Sequence, residues 1–396
     1  METSDLVAFI RDSPTPFQFG EVVRKRLLAE GFTELQEQEQ WDSIPDKGFY
    51  LRDGRALVAF KKGQLESAVV VGTHCDSPAL KTKPNFDIPK KNEVNIAPYG
   101  GGLWGTWYDR ELRLAGRVFV KEGESIVSKL VDSIEPIAII PSPPTNPFYG
   151  DATTMDINTQ TQLVPIIGLK RCQNLRTWLA DQLNVQEAQI LETDLFFVDA
   201  QPPAIIGANG EFLASERIDN LLSTYAALQA FIASEPHEHM NVFVVFDNEE
   251  IGSNTRLGAQ SDLLPRFFDR ILPDPKKRAP FIARSLIVSS DNSHAINPNY
   301  ADISESLNSP IIGKGTAVKK SPSASYATDA ASSIPLRLAA KSAGTPLQNQ
   351  INRNDRLGGS TIGPHISSLI GVPTVDIGMP QLAMHSIREL AATKDV

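Results

Sequence analysis

Histidines and carboxylates recur in this chain where apolar runs give way to loops. Val69-Val70-Val71-Gly72-Thr73-His74-Cys75-Asp76 closes on His-x-Asp, Val244-Val245-Phe246-Asp247-Asn248-Glu249-Glu250 closes on paired glutamates, and Ile287-Val288-Ser289-Ser290-Asp291 closes on an aspartate. Asp219 opens a helical pattern, and His385 follows the run Val372 to Ile377 across a loop. Imidazole and carboxylate donors suit Zn, Mn or Co, and one carboxylate can bridge two cations about 3.5 to 4 Å apart. Asp219 is the candidate bridge. A water shared by two cations can fall from a pKa of about 15.7 to about 7, so hydroxide becomes available at neutral pH. Of Glu249 and Glu250, one can then ligate and the other act as base, while Asp76 is spaced to orient the His74 imidazole.

Each residue has a plainer reading alone. A histidine after a strand is more often structural than a ligand, adjacent glutamates usually make a solvated turn, and an aspartate near a helix start is usually a cap. Those readings predict no common location. In open α/β sheets ligands collect at the carboxyl ends of strands, and these residues share that address.

The elements that must deliver them are legible in outline. Ser13-Pro14-Thr15-Pro16 offers a cap, after which Phe17, Val22, Val23, Leu27 and Leu28 recur at helical spacing until Gly31. Arg55 to Lys61 and Ala68 to Val71 read as strands, the second of the kind buried on both faces. From about Lys81 to Ala204 glycine and proline increase between short alternating runs, Leu112 to Val120 and Glu135 to Ile140 among them, with a helical run at Asn174 to Gln182. This predicts a mostly β unit inserted into an α/β domain. The β/α rhythm resumes from Ser215, with helices over Asp219 to Ser234 and Thr361 to Ile370 and strands over Val242 to Phe246, Arg284 to Ser289 and Val372 to Ile377.

At 396 residues the chain is long enough for two domains, and 41% hydrophobic against 21% charged residues supplies a core. A net charge of -9 argues against nucleic acid as a partner. Its longest apolar runs fall far short of the roughly 20 residues of a membrane span, and Met1-Glu2-Thr3-Ser4-Asp5 is no signal peptide, which predicts a cytoplasmic protein without membrane partners. Two cysteines, Cys75 and Cys172, fit a reducing compartment. Lys81 to Lys91 and Asp274 to Arg278 read as solvated loops.

Several motifs fail. Gly100-Gly101-Gly102-Leu103-Trp104-Gly105 satisfies G-x-G-x-x-G, but Trp107-Tyr108-Asp109-Arg110 and a strand-like run follow where a dinucleotide site opens a helix. Gly313-Lys314-Gly315-Thr316 lacks the leading glycine of a phosphate loop, since position 308 is Asn. His237-Glu238-His239 lacks i, i+4 spacing and reads as a solvated helix end.

With these residues in view, the sequence resembles the aspartyl aminopeptidase and vacuolar aminopeptidase I family of dinuclear zinc exopeptidases. The matching segments run in family order: Ser13 to Phe17, Gly72 to Pro78, Tyr99 to Trp104 with Trp107 to Arg110, Glu216 to Asn220, Phe246 to Ser253, Ser290 to Ala295, Gly359 to Pro364 and Pro380 to Glu389. The resemblance implies a zinc-exopeptidase catalytic domain of the phosphorylase/hydrolase-like α/β class over residues 1–80 and 205–396, with a central mixed sheet. Residues 81–204 would be an inserted β-rich dimerisation domain. It implies two Zn2+ per subunit, Co2+ or Mn2+ being able to substitute, on His74, Asp219 (bridging), Glu250, Asp291 and His385, with Glu249 as general base. His294, Lys319 and Tyr326 would line the substrate pocket, Lys319 meeting an acidic side chain on the N-terminal residue of a peptide. Dimers would assemble into a tetrahedral dodecamer with enclosed sites.

Two departures stand out. In the family a loop reading roughly Ile-Pro-x-Leu-Ala-Ile-His-Leu carries a histidine into a neighbouring subunit, whereas Ile140-Pro141-Ser142-Pro143-Pro144-Thr145-Asn146-Pro147 has none, and relatives continue beyond the position of Val396. Either this is a variant without that function, or a segment is missing from the sequence. Asn248, where many relatives have His, is a lesser change. The expected activity is removal of an N-terminal, preferably acidic, residue. Alternatives are an aminopeptidase for neutral residues, an N-acyl amino-acid deacylase or carboxypeptidase on the same donors, and a catalytically impaired protein acting through assembly.

Overall fold

The computed structural model describes residues 3–143, 157–169, 174–356 and 358–396. Its centre is a nine-stranded mixed sheet in the order Thr33–Glu34, Lys47–Arg52, Ala56–Lys61, His239–Phe246, Ser67–His74, Leu286–Ser290, Thr374–Gly378, Thr316–Lys319, Leu347–Gln350. Four adjacent strands, from His239–Phe246 to Thr374–Gly378, run parallel. Their carboxyl ends therefore share one edge.

Alternation along these strands separates two cores. Leu57, Ala59, Phe243 and Val245 pack under the helices Thr3–Arg11, Pro16–Ala29 and Ile218–Ala233. Val58, Phe60, Val242 and Val244 pack on the other side under Leu263–Ile271, Pro275–Ala283 and Ile362–Ile370. Both faces of the sheet are covered, which is why Ser67–His74 is apolar without alternation.

A second, antiparallel sheet is built from Ala79–Asp87, Val94–Tyr99, Glu111–Glu122, Ser125–Asp132 and Ile190–Asp199, with its own core around Leu80, Leu112, Leu114, Leu195 and Phe197. A third sheet joins Ala204–Ile206, Phe212–Ser215, Glu389–Ala392, Pro380–Leu382 and Ser293–His294. Among the described residues no helix is long and apolar enough to cross a membrane.

Several local readings change. Lys81 to Lys91 is no loop: the strand Ala79–Asp87 runs through it, and Lys81 Nζ lies 3.0 Å from Asp194. Asp274 caps the helix Pro275–Ala283, its side chain accepting from Lys276 N, so that basic run is a helix start. His237-Glu238-His239 leads into a strand, and His239 Nδ1 lies 2.6 Å from Ser67 Oγ. Of Glu135 to Ile140 only Ala138–Ile139 is strand. Gly100 to Gly105 ends a strand and enters a 3-10 turn, Trp104–Trp107. Gly315 N–H donates to Asp395 at 2.8 Å, so the Gly-Lys-Gly loop holds a carboxylate of this chain. Cys75 is a buried free thiol, and Cys172 lies outside the described residues.

The helix Pro16–Ala29 joins the first two sheets. Thr15 caps it through Phe17 N (3.3 Å), and Gln18 Nε2 donates to Gly116 O and Val131 O of the second sheet (3.1 and 2.8 Å). Phe17, 3% exposed, lies between the Arg55 and Arg117 guanidiniums, 4.7 and 4.4 Å from its ring centre. Arg117 also pairs with Asp53 and Asp194, one aspartate from each side of the junction. Because the ring fills the space between two cations, Phe17→Ala should cost about 3 kcal/mol, read as a fall in the urea unfolding midpoint. A midpoint equal to that of the parent would remove this contact from the account of stability.

Candidate active site

The shared strand edge gathers the chemistry-bearing residues. Ser67–His74 ends at His74, Leu286–Ser290 is followed at once by Asp291, and His239–Phe246 leads into a turn carrying Glu249 and Glu250. Asp219 lies in the non-helical first turn of Ile218–Ala233 and does not cap it. His385 sits between the strands Pro380–Leu382 and Glu389–Ala392 in a left-handed conformation, φ 67°.

Two donor sets form. His74 Nε2 lies 3.4 Å from Asp219 Oδ1 and 3.4 Å from Asp291 Oδ1. His385 Nε2 lies 3.5 Å from Asp219 Oδ2 and 3.2 Å from Glu250 Oε1. Asp219 therefore turns one oxygen to each set. Two atoms bound about 2.1 Å from a tetrahedral zinc stand about 3.4 Å apart, so these spacings are those of donors around an ion. Asp219 Oδ1 and Glu250 Oε1 are also buried oxygens without a hydrogen-bond donor. The donor chemistry and the orphaned oxygens both fit zinc.

The imidazoles are held so that Nε2 points inward. His74 Nδ1 is 3.1 Å from Asp76 O, and His385 Nδ1 is 3.0 Å from Gly101 O; a carbonyl can only accept, so each Nδ1 carries the proton and each Nε2 offers its lone pair. Asp76, 1% exposed, accepts from Glu249 N and Glu250 N (both 3.1 Å) and from Tyr99 OH (2.7 Å). Asn248 adds a bond to Tyr99 OH (2.9 Å) and adopts φ 64° to turn the chain into Glu249. Gly100, with φ 73°, allows close approach: a Cβ there would stand 3.2 Å from the Glu250 Cβ.

Glu389 holds the other half. It is 2% exposed and accepts from Asp219 N (3.0 Å), His385 N (2.7 Å) and Gln381 Nε2 (3.0 Å). Sequence reading assigned no role to Glu389, Tyr99 or Gly101. All three lie in segments that carry the family resemblance, but nothing in their local spacing marks them.

Electrostatics follow from crowding. Burial works to lower His385, but the Asp219 and Glu250 carboxylates outweigh it and push its pKa up to about 12. His74 is likewise raised, burial being overcome by Asp219, Asp291 and Asp76. Burial alone would raise Asp219, yet His385 and His74 hold it well below the usual carboxylate range. Burial pushes Glu250 up to about 7 and raises Glu249 well above its ordinary value. The pocket holds more negative than positive groups, and a bound cation would relieve that excess.

Glu249 Oε2 lies 4.0 Å from His74 Nε2 and belongs to neither donor set. Lys319, ending the strand Thr316–Lys319, is 3% exposed and so is not a surface lysine; its Nζ is 3.8 Å from Asp291 Oδ2 and 5.4 Å from the Tyr326 ring centre. Burial would lower its pKa, but Asp291 and the other carboxylates raise it, and it remains an ammonium. His294 ends a short strand and faces solvent. Of the segment Ile140 to Pro147, Pro144 to Pro147 lie outside the described residues.

Residues 9–396 match the family model "Aminopeptidase I zinc metalloprotease (M18)". The chain is 38% identical over 406 residues to the "Probable M18 family aminopeptidase 2" of Pseudomonas fluorescens (strain SBW25), covering 99% of this chain and 94% of the relative. Among solved structures, a chain of the Ape4 and Nbr1 complex superposes with a TM-score of 0.95 at 31% identity, over 99% of this chain and 82% of that one. The S. cerevisiae mApe1 dodecamer gives a TM-score of 0.86 at 27% identity, over 99% and 93%.

Glu389 touches no donor atom, yet fixes the backbone of two candidate donors. Glu389→Ala should therefore weaken zinc binding about 10- to 100-fold in competition with a chelator, with the far-UV circular dichroism of the parent. Parental zinc affinity in a folded variant would show that the backbone holds Asp219 and His385 without it.

Proposed function

The chain belongs to the aminopeptidase I zinc metalloprotease (M18) family, and on that premise we propose that it removes N-terminal residues from peptides, acidic ones by preference, with two zinc ions in adjacent donor sets. The observation that carries the two-ion reading is Asp219, whose Oδ1 faces His74 and whose Oδ2 faces His385. His74, Asp219 and Asp291 would hold one ion; Asp219, Glu250 and His385 would hold the other. Bound there, zinc would supply Lewis acidity toward the scissile carbonyl and lower the pKa of a water from about 15.7 to about 7.

The chain's own groups do the rest. Glu249, outside both donor sets, accepts a proton from the attacking water and returns it to the leaving amine. Its backbone N–H donates to the Asp76 carboxylate while the Asp76 carbonyl holds the His74 imidazole, so one residue orients both. Lys319, kept as an ammonium beside Tyr326, supplies the cation for an acidic side chain, and His294, near enough to feel the Lys319 charge, borders that pocket on its solvent side. Co2+ or Mn2+ would replace zinc on the same mixed imidazole and carboxylate donors.

We assign residues 1–80 and 205–396 to the catalytic unit and 81–204 to an inserted unit that forms dimers; the separate core of the second sheet supports this division. The likeness to the S. cerevisiae mApe1 dodecamer supports assembly of those dimers into a tetrahedral dodecamer. The charge balance and the free Cys75 support work in the cytoplasm.

The test is a panel of Asp, Glu, Leu and Ala p-nitroanilides with and without chelator, plus N-acetylated controls. Cleavage should favour Asp and Glu, require a free amine, vanish on chelation and return with zinc. Glu249→Gln should lower kcat by about 10^2- to 10^4-fold while retaining two zinc ions per chain by elemental analysis. A preference for Leu would discard the acidic pocket, cleavage of the acetylated substrates would replace the aminopeptidase reading, and normal kcat in the variant would remove Glu249 as base.

A further inference from the structure

A cavity of about 470 Å3 begins at His294 and runs along Gln381 to Met384, the segment that leads into His385. Lys319 and Tyr326 are not among its walls; it shares His294 with the pocket assigned to the first residue and continues beyond it. Its lining has three kinds of group. Leu382 and Met384 are apolar. Gln350, 3% exposed, is polar, and its buried Oε1 has no hydrogen-bond donor.

The third kind is cationic. Two arginines line the cavity, and their surroundings differ. Arg353 is spent on its neighbours: Nε and Nη2 bind Asp355 at 2.8 and 2.7 Å, and Nη1 donates to Asp302 O at 2.9 Å. The one acid on the wall, Glu305, accepts from Leu307 N and Asn308 Nδ2 (2.9 and 3.0 Å). The Arg356 side chain has neither a hydrogen bond nor an ion pair among the described residues, and the residue is exposed. A guanidinium without a partner and an apolar wall in one cavity match a peptide segment that offers a carboxylate and a side chain.

We propose that this cavity binds the part of the peptide beyond the scissile bond, and that Arg356 reads a carboxylate on it. This rests on the aminopeptidase reading, with the first residue on the Lys319 side. The carboxylate comes from the terminus of a short peptide or from an acidic side chain. The site therefore favours short or acidic peptides through their leaving portion as well as their first residue.

The test is equilibrium binding by calorimetry to zinc-loaded Glu249→Gln protein, which removes turnover from the readout. The ligands are Glu-Ala-Ala as free acid, the same peptide as C-terminal amide, and Glu-Glu-Ala amide. The free acid should bind about tenfold more tightly than its amide, and adding Arg356→Gln should bring the two together. Recovery of affinity by Glu-Glu-Ala amide would show that a side-chain carboxylate serves; its absence would assign the site to the peptide terminus. Equal affinities for all three peptides with Arg356 present would overturn the proposal, as would a loss on Arg356→Gln that is the same for acid and amide. Wild-type turnover of Glu p-nitroanilide, which has no downstream carboxylate, tests the aminopeptidase reading separately. If that substrate fails while the binding difference stands, the first reading falls and Arg356 remains a carboxylate site.

Discussion

Carboxylates crowded where water is scarce set the terms for this molecule. Asp76, Asp219, Glu250 and Asp291 lie within a few ångströms of two imidazoles, and Asp76 and Asp219 are 1% and 4% exposed. Burying such groups unpaired costs several kcal/mol each, so positive charge must be supplied. Lys319 supplies part of it. Zinc, the metal of the family, would meet the remainder.

Two carboxylates arrange the others, and they do so through backbone. Asp76 collects the N–H groups of Glu249 and Glu250, while Glu389 collects those of Asp219 and His385. A backbone bond fixes where a side chain starts, which leaves the donor atoms free of hydrogen bonds that would compete with an ion. Asn248 and His385 adopt left-handed conformations that non-glycine residues rarely hold. That is consistent with strain tolerated at a functional turn, since the surrounding bonds over-determine both positions.

Much of this was legible in the sequence because strand ends are local features. An apolar run that closes on His74 or Asp291 announces both the strand and the place where it stops, and the tendency of ligands to collect at the carboxyl ends of parallel strands then implies convergence. The capping by Thr15 was legible for the same reason. Long-range choices were not. Lys81 looks like part of a charged loop until the strand Ile190–Asp199 brings Asp194 to it, and Glu389 looks like any surface glutamate until the third sheet buries it. Lys319 is charged in sequence and core-like in the fold, because only tertiary contact with Asp291 makes a buried ammonium tolerable.

The third sheet places a strand from near residue 390 against one from near residue 213, with Glu389 opposite Ser215. That pairing has a meaning for synthesis. His74 and Asp219 leave the ribosome well before His385 and Glu389, so a nascent chain carries one imidazole and the shared aspartate with their partners still to come. The strand Glu389–Ala392 then closes the third sheet and the second donor set in a single event. The group Asp219, Glu250 and His385 is therefore complete only once residue 385 has been made, whereas His74, Asp219 and Asp291 are all in the chain well before it.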